Sequence, residues 1–194
     1  MRILLLLAKG FETMEASVFV DVMGWADQDY HCQTKVVTCG MQRTVRSAFG
    51  IPVQTDILIG EADPDGYDAL AIPGGFEEYG FYEEAFSPAV SELIRQFHDR
   101  KKPIASVCVG ALALAHSGIL TGKKATTYHL NGGVRQKQLA AYGVEIVNKP
   151  VVITENLITS YCPQTAPEVA FCLLEMLAGT EKMQTVKTAM GFGC

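Results

Sequence analysis

A thiol separates a strand-like segment from a helix-like segment in the stretch KPIASVCVGALALA, residues 102–115. The apolar run before Cys108 is typical of a buried parallel strand, and the small residues after it favour a helix. This layout matches the Gly-x-Ser-x-Gly nucleophile elbow, with Ser106 and Gly110 as the small flanking residues. The backbone N–H groups and the dipole of the following helix would favour the thiolate over the thiol. The stretch therefore predicts a reactive cysteine at the edge of a sheet, and a buried, inert cysteine is the alternative.

A second strand end is marked by the pair Gly74 and Gly75, which follows the apolar segment DALAIP at 68–73. One helix-like stretch separates this segment from the strand that leads to Cys108, so we expect two consecutive parallel strands. Ligands of a doubly wound sheet bind at the carboxyl ends of its strands. The backbone N–H groups of Gly75 and Val109 are therefore candidate donors to one oxyanion. A Gly-Gly pair is otherwise most often a simple turn.

A third strand end precedes Glu15. The apolar run from Arg2 to Ala8 predicts the first strand, and a helix begins shortly after it. Glu15 falls in the first turn of that helix, which brings a carboxyl group to the same sheet edge as Cys108. Acidic residues are also common in a first helical turn because they complement the helix dipole, and this is the alternative explanation.

The composition fits one folded α/β domain over residues 1–194. The chain is 48% hydrophobic and 19% charged, which allows a large core and is unlike a disordered chain. Strand-like and helix-like segments mostly alternate, so we predict a doubly wound, mostly parallel sheet with helices on both faces. The net charge of −5 and the scattered basic residues argue against a nucleic-acid partner. No apolar run approaches the length of a membrane span.

The cysteines indicate a reducing compartment. None of them has the spacing of a zinc site, so we expect no metal and no cofactor. Because no secretion signal is recognisable and the apolar core is large, we expect reduced thiols and a cytoplasmic protein. The six cysteines are Cys32, Cys39, Cys108, Cys162, Cys172 and Cys194.

Local patterns predict several further elements. Segment 44–55 is typical of an irregular strand or hairpin, and residues 165–168 (TAPE) have the pattern of a capping box at the start of a late helix. A helix is also predicted to begin at Ser87-Pro88, with serine as its N-cap. Helical spacing places apolar stripes on two helices: Met14, Val18, Val22 and Trp25 on the first, and Val90, Leu93, Ile94 and Phe97 on the one after Ser87.

An acidic and aromatic segment, FEEYGFYEEAF at 76–86, directly follows the Gly-Gly turn and should overhang the thiol. Its aromatic residues, Phe76 first among them, either wall a small apolar pocket or pack on the domain or on a partner subunit. The segment Tyr161-Cys162-Pro163 is a second candidate wall.

Other motifs accompany these strand ends: KGFETME at 9–15, IPGG at 72–75, SVCVG at 106–110, Ala125-Thr126-Thr127, a hairpin at 151–160 and PQTA at 163–166. Together they resemble the ThiJ/PfpI superfamily, nearest to the branch that contains the parkinsonism-associated oxidative-stress protein. The resemblance covers nearly the whole chain and implies a flavodoxin-like, class I glutamine-amidotransferase-like fold and a homodimer. It also implies that Cys108 is the reactive thiol, that Glu15 is the acid hydrogen-bonded to it, and that Gly75 and Val109 are the oxyanion donors.

The chain departs from that superfamily at three places. Val109 stands where the peptidase branch carries a histidine next to the nucleophile, so peptidase activity is not expected. Tyr128 stands where the oxidative-stress branch has a histidine near the thiol, and His129 follows it. A one-residue offset on an extended segment turns a side chain to the opposite face, which favours Tyr128 over His129 as the residue that faces the thiol.

Segment 161–163 replaces an Arg-Gly-Pro type of sequence, which argues for a different or less anionic ligand. The candidate substrate-binding residues are Gly74, Phe76, Tyr128, His129 and Tyr161.

The resemblance implies a cysteine-dependent enzyme, a lyase or hydrolase that acts on a small electrophile. In glyoxalase-III-like or deglycase-like chemistry, the Cys108 thiolate would add to an α-oxoaldehyde while Glu15 transfers protons. An isonitrile-hydratase-like enzyme is one alternative, although that branch typically carries aspartate at the acid position. The alternative from another class is a redox sensor or chaperone whose thiol is oxidised without turnover.

Overall fold

The structure, a computed structural model, describes residues 1–193, so Cys194 lies outside the described residues. The strands are β1 (Arg2–Leu7), β2 (Lys35–Gly40), β3 (Thr44–Arg46), β4 (Pro52–Gln54), β5 (Ile57–Leu58), β6 (Ala69–Ile72), β7 (Ile104–Ser106), β8 (Lys124–Ala125), β9 (Glu145–Ile146), β10 (Val151–Thr154) and β11 (Leu157–Ser160). The helices are α1 (Thr13–Gln28), α2 (Phe81–Ala85), α3 (Pro88–Asp99), α4 (Gly110–His116), α5 (Val134–Ala141), α6 (Ala166–Ala178) and α7 (Thr180–Ala189).

Seven strands form one sheet in the order β10–β11–β7–β6–β1–β2–β5. Every neighbouring pair is parallel except the antiparallel β10–β11 hairpin. Helices α1, α6 and α7 pack together, α3 packs against α4, and both groups contact the sheet. This arrangement confirms the predicted flavodoxin-like α/β fold with a mostly parallel sheet.

Strand β1 lies at the centre of the sheet because its leucine-rich sequence suits a strand covered on both faces. Residues Ile3 to Leu7 are at most 2% exposed. The chain leaves β1 to form β2 on one side and later returns to form β6 on the other side. The sheet therefore has a topological switch point between β1 and β6, where open α/β sheets hold their ligands.

Helix α1 turns a different face inward from the predicted stripe. Met14 is 49% exposed and Trp25 is 41% exposed, so the prediction for these two residues is wrong. The buried face contains Glu15, Ala16, Phe19, Val22, Met23 and Ala26. The residues of this buried face recur at helical spacing. The first of them is Glu15, and a pattern of apolar residues alone does not include a carboxyl group.

The other local predictions have mixed outcomes. Segment 44–55 forms the antiparallel β3–β4 hairpin, and the Ser87 side chain caps α3 as predicted. The predicted capping box at 165–168 is wrong: the Thr165 hydroxyl donates to the carbonyl oxygen of Cys162 at 2.7 Å and caps no N–H group of α6. Helix α7, which packs against α1 and α6, was not predicted.

Candidate active site

Cys108 lies on a tight turn between β7 and α4, with a left-handed φ of +54°. This conformation is uncommon for a residue with a side chain and is held by the surrounding packing. The Val107 N–H donates to Ile72 O at 3.1 Å, and the Thr127 hydroxyl donates to the Cys108 carbonyl at 2.8 Å. A Cβ at Gly110 would lie 2.8 Å from Ile72 O, so the chain needs glycine there to begin α4. The predicted nucleophile elbow is thus present as a strand, a strained turn and a helix.

Glu15 is held in a fixed position below the thiol. It is 1% exposed, and the Gly74 N–H donates to its Oε2 at 2.6 Å. The backbone N–H of Glu15 is capped in turn by the Glu12 carboxylate at 2.8 Å. The Glu15 carboxyl lies beside the Cys108 thiol, close enough for each group to shift the pKa of the other. A buried carboxyl group and a buried thiol are therefore neighbours at the switch point of the sheet.

Burial raises the pKa of the Glu15 carboxyl to about 8, although the Gly74 N–H opposes the rise. Burial is also the main reason why the pKa of the Cys108 thiol lies well above its ordinary value. The Glu15 carboxylate adds to that rise, while the Val109 N–H opposes it. The expectation that the elbow lowers the thiol pKa is wrong, because desolvation outweighs the donors of a seven-residue helix. Glu15 therefore holds a proton at neutral pH, and the two groups titrate as a unit.

Two backbone N–H groups of the cavity lining, those of Gly75 and Val109, are the candidate oxyanion donors. Gly75 pairs with Phe11 in an antiparallel bridge, in which the Phe76 N–H donates to Gly10 O at 3.0 Å and the Glu12 N–H donates to Gly74 O at 2.9 Å. Because these neighbours make the bridge bonds, the N–H of Gly75 points away from Phe11 and toward the cavity. The Val109 N–H is directed at the Cys108 sulfur.

Cys108 opens into a cavity of about 480 Å³. Glu15, Gly75, Val109, Phe76 and Tyr128 line this cavity together with the thiol, so the structure brings these predicted site residues together. The two predicted walls also contribute: Glu77 and Glu78 from segment 76–86, and Cys162 and Pro163 from segment 161–163. The lining residues that no sequence motif indicated are Glu12, Leu130, Asn131, Arg135 and Gln164.

Three predicted substrate-binding residues lie outside the cavity lining. Gly74 holds the Glu15 carboxyl through its N–H and faces no open space. His129 stacks on Tyr161 with ring centroids 3.9 Å apart, and the Tyr161 hydroxyl donates to Asn148 Oδ1 at 2.6 Å. The alternation of the extended segment turns Tyr128 toward the thiol and His129 away from it, as the one-residue offset predicts.

The acidic and aromatic segment 76–86 divides into two parts. Phe76, Glu77 and Glu78 overhang the thiol, whereas Phe81 is fully buried in the domain. Both interpretations of this segment therefore hold, each for a different part of it.

Arg135 is the cation of the cavity, and no sequence motif indicated it. It forms a 2.8 Å ion pair with Glu77 Oε2, and its guanidinium lies 5.1 Å from the centre of the Tyr82 ring. Glu12 and Glu78 add two further carboxylates to the lining. The cavity mouth is therefore net negative, with its one arginine already paired.

Two further findings limit the chemistry of the described chain. Within residues 1–193, no group of three or more histidine, cysteine, aspartate or glutamate side chains could hold a metal ion. None of the helices in this range is both long and apolar enough to cross a membrane.

Comparisons with known proteins agree with this geometry. The model of the DJ-1/PfpI family matches residues 1–176. The Parkinson disease protein 7 homolog of Danio rerio is 32% identical over 192 residues, which cover 97% of this chain and 96% of that protein. The crystal structure of Drosophila melanogaster DJ-1beta superposes with a TM-score of 0.87 at 30% identity, covering 100% of this chain and 98% of that one.

A relative named as an enzyme is also similar over most of its length. The deglycase PYRAB04690 of Pyrococcus abyssi is 30% identical over 166 residues, which cover 84% of this chain and 91% of that protein. The family match, the relatives and the shared fold together show that this chain belongs to the DJ-1/PfpI family.

Proposed function

We propose that this protein is a cysteine-dependent enzyme that acts on small carbonyl electrophiles, in the manner of a glyoxalase or a deglycase. The observation that carries the proposal is the placement of the buried Glu15 carboxyl and the Cys108 thiol together in the lining of a cavity large enough for a small molecule. The similarity to a protein named as a deglycase supports the same reaction class.

The reaction needs a nucleophile, an oxyanion site and one group that moves protons. In the reactive form of the pair, Cys108 is a thiolate and Glu15 holds the proton. The thiolate adds to the aldehyde carbon of an α-oxoaldehyde, and Glu15 gives its proton to the former carbonyl oxygen and is left as a carboxylate. The N–H groups of Gly75 and Val109 stabilise the negative charge on that oxygen. The product of this step is a hemithioacetal on Cys108.

Glu15 serves again in the second half of the reaction. As a carboxylate it removes the proton from the hemithioacetal carbon and returns it to the neighbouring carbonyl carbon, while the hydroxyl proton of the hemithioacetal moves to the neighbouring oxygen, which gives a 2-hydroxy thioester. Water then cleaves the thioester, which releases a 2-hydroxy acid and restores the thiol. The sum is addition of one water to an α-oxoaldehyde, so no external oxidant or reductant is consumed.

The charge of the cavity mouth narrows the substrate class. Glu12 and Glu78 have no cation from the cavity lining as a partner, and Arg135 is paired with Glu77. Neutral electrophiles such as methylglyoxal, or electrophiles that carry an amine, suit this mouth better than anionic ones.

Peptide hydrolysis is disfavoured by the same residues. Cleavage of an amide needs a proton delivered to a poor leaving group, commonly by histidine. The described residues that line the cavity include no histidine, and Val109 follows the nucleophile directly. Addition to an aldehyde expels no amine, so Glu15 and the oxyanion donors suffice.

The test is a panel of methylglyoxal, glyoxal, an isonitrile and fluorogenic peptides, each assayed with wild type and with Cys108→Ala. We expect dicarbonyl consumption that is lost in Cys108→Ala, and no peptide cleavage. Hydration of the isonitrile without consumption of a dicarbonyl compound would instead support an isonitrile-hydratase-like enzyme. If every substrate on the panel stays intact, the proposed enzymatic function is rejected.

The homodimer implied by the resemblance remains a proposal for this chain. Sedimentation velocity of the purified protein tests it: we expect a species of twice the chain mass of 21.1 kDa. A species of single-chain mass at micromolar concentration would contradict it.

A further inference from the structure

A second thiol faces the cavity that holds Cys108. Cys162 lines this cavity, and its residue exposure of 8% equals that of Cys108. The other described cysteines do not line the cavity: Cys32 follows α1, Cys39 is fully buried in β2 and Cys172 lies on α6. Addition to a carbonyl group requires only one thiol, so the proposed reaction leaves the second thiol without a role.

The sheet register brings the two cysteines to neighbouring strand ends. Strands β7 and β11 are parallel neighbours, with Ile104 opposite Leu157 and Ala105 opposite Ile158. Cys108 lies two residues beyond the end of β7, and Cys162 lies two residues beyond the end of β11. The ends of these neighbouring parallel strands bring both cysteines to one edge of the sheet, where both line the cavity. A disulfide between them requires their Cα atoms to approach to within about 7 Å.

The backbone of Cys162 is held in place by Thr165, whose hydroxyl donates to the Cys162 carbonyl at 2.7 Å. Burial raises the pKa of the Cys162 thiol, and the Glu15 carboxylate adds to the rise, while Gln164, which also lines the cavity, opposes it. Cys162 also adds to the rise of the Cys108 pKa. Cys162 is thus a fixed residue within electrostatic range of Cys108 and Glu15.

We propose that Cys162 is a resolving thiol, which gives this protein a second activity: reduction of hydroperoxides through an intramolecular Cys108–Cys162 disulfide. The proposal rests on the proposed function only in using Cys108 as the nucleophile. It does not depend on which carbonyl compound the enzyme consumes.

The chemistry balances in three steps. The Cys108 thiolate attacks the terminal oxygen of a hydroperoxide, so that the O–O bond breaks, an alcohol or water leaves and Cys108 becomes a sulfenic acid. The Cys162 sulfur then attacks the Cys108 sulfur, which forms the S–S bond and releases water. Two equivalents of a low-mass thiol reduce the disulfide and are themselves oxidised to a disulfide. In sum, one hydroperoxide and two thiols give one alcohol, one water and one disulfide.

Cys162 also decides the fate of the oxidised nucleophile. A sulfenic acid without a neighbouring thiol is oxidised further to a sulfinic acid, which ordinary thiols do not reduce. With Cys162 present, oxidation stops at a disulfide and is reversible. The enzyme therefore survives oxidation that would inactivate Cys108 permanently.

The experiment treats reduced full-length protein with hydrogen peroxide in excess over the two equivalents that a sulfinic acid requires, and measures intact mass under denaturing conditions. For wild type we expect the loss of two hydrogens, the loss of two titratable thiols and full recovery with dithiothreitol. Cleavage after glutamate places Cys108 on fragment 93–145 and Cys162 on fragment 156–168, apart from Cys172. A disulfide between these two fragments, within a single chain on a non-reducing gel, is the expected linkage.

Two variants and one matched control complete the test. Cys162→Ser and Cys162→Ala should gain oxygen on Cys108 instead of losing two hydrogens, and dithiothreitol should recover at least ten-fold less free Cys108 thiol than in wild type. Cys172→Ser removes a thiol outside the cavity and should behave like wild type. Two Cys162 variants are used so that a packing defect in one of them does not decide the outcome.

The inference is overturned if wild-type Cys108 gains two oxygens while Cys162 stays free, or if the disulfide joins two chains. Methylglyoxal consumption by the same reduced wild-type preparation separates this result from the proposed function. A disulfide without dicarbonyl consumption rejects the proposed function and leaves the resolving thiol in place. Dicarbonyl consumption without the disulfide rejects the resolving thiol.

Discussion

The cavity has a floor and a rim that are built in different ways. The floor consists of Glu15, Gly75, Cys108 and Val109; Glu15 is 1% exposed and Cys108 is 8% exposed. The rim consists of Glu77, Glu78, Leu130 and Arg135; Leu130 is 51% exposed, and the ion pair joins a half-buried Arg135 to Glu77, whose side chain is 63% exposed. Strand ends and backbone hydrogen bonds fix the floor, whereas exposed side chains form the rim.

This difference indicates that the floor determines the catalytic chemistry and that the rim determines which substrate is preferred. Desolvation on the floor changes the pKa of Glu15 strongly, because water is excluded and the charge has few partners. On the rim, solvent screens the Arg135–Glu77 pair, so its contribution to stability is small. Changes to the floor should therefore alter turnover and folding stability, and changes to the rim should alter only which electrophile is preferred.

The largest effect is expected from Glu15→Gln. Glutamine accepts the Gly74 N–H and donates to the sulfur, but it cannot carry a proton between atoms. We expect turnover of methylglyoxal to fall by roughly 10²- to 10⁴-fold, the usual contribution of general acid–base catalysis. Alkylation of Cys108 by iodoacetamide should persist in the variant. The control is Glu155→Gln, which removes a carboxylate paired with Lys123 outside the cavity; equal losses in both variants would contradict the role of Glu15.

The same variant should change how folding stability depends on pH. The folded pKa of Glu15 is raised to about 8 from an ordinary value of 4.5, so the native state keeps a proton that the unfolded chain releases. Wild type should therefore lose stability relative to Glu15→Gln as pH rises from 4.5 to 8, by about 1.4 kcal/mol per unit. Between pH 4.5 and pH 7 the stability difference should therefore shift in favour of the variant by about 3 kcal/mol. Urea unfolding at pH 5 and pH 7.5 measures this difference, and a constant difference between the two pH values would contradict it.

A pair of glycine substitutions tests how tightly the floor is packed. A Cβ at Gly75 would lie 2.3 Å from Phe81 Cδ2 and 2.5 Å from Gly10 O, so Gly75→Ala should lower the free energy of unfolding by about 1–3 kcal/mol. Gly24 in α1 has no atom within 4 Å of its added Cβ, and Gly24→Ala should raise stability by up to about 1 kcal/mol. Thermal denaturation of both variants gives the comparison. A Gly75→Ala variant as stable as wild type would contradict the close packing of Gly75 against Phe81 and Gly10.

The smallest effect is expected at the rim. Arg135→Gln removes the one cation of the lining, so glyoxylate, an anionic α-oxoaldehyde, should lose about 5-fold in kcat/KM relative to neutral methylglyoxal. Stability should change by less than about 1 kcal/mol. Arg95→Gln, which breaks a surface ion pair on α3, is the matched control. An unchanged ratio of the two substrates in Arg135→Gln would show that the rim does not select by charge.

The floor could be predicted from the sequence, but the rim could not. Gly75 and Cys108 each come within three residues of a strand end, Glu15 lies in the first turn of the helix that follows β1, and the ends of parallel strands meet at one sheet edge. Arg135 reaches the cavity from α5, more than twenty residues beyond Cys108. No local pattern fixes where such a helix packs, so only the tertiary structure reveals that contact.

Other sequence predictions failed where burial outweighed local pattern. The apolar stripe of α1 was assigned without Glu15, yet that carboxyl group belongs to the buried face and rotates the stripe away from Met14 and Trp25. The thiol pKa was predicted from nearby donors, although the burial that raises it depends on the whole fold. Both failures concern groups whose partners come from distant parts of the chain.

The central claim is that Cys108 forms the bond to the substrate and Glu15 moves the proton. Intact-mass analysis of Glu15→Gln after incubation with methylglyoxal tests both parts together. The account predicts that the variant accumulates a mass increase of one methylglyoxal, mapped to fragment 93–145, while wild type returns to its unmodified mass and releases lactate. A variant that releases lactate at the wild-type rate, or that carries the adduct on a side chain other than Cys108, would contradict the account.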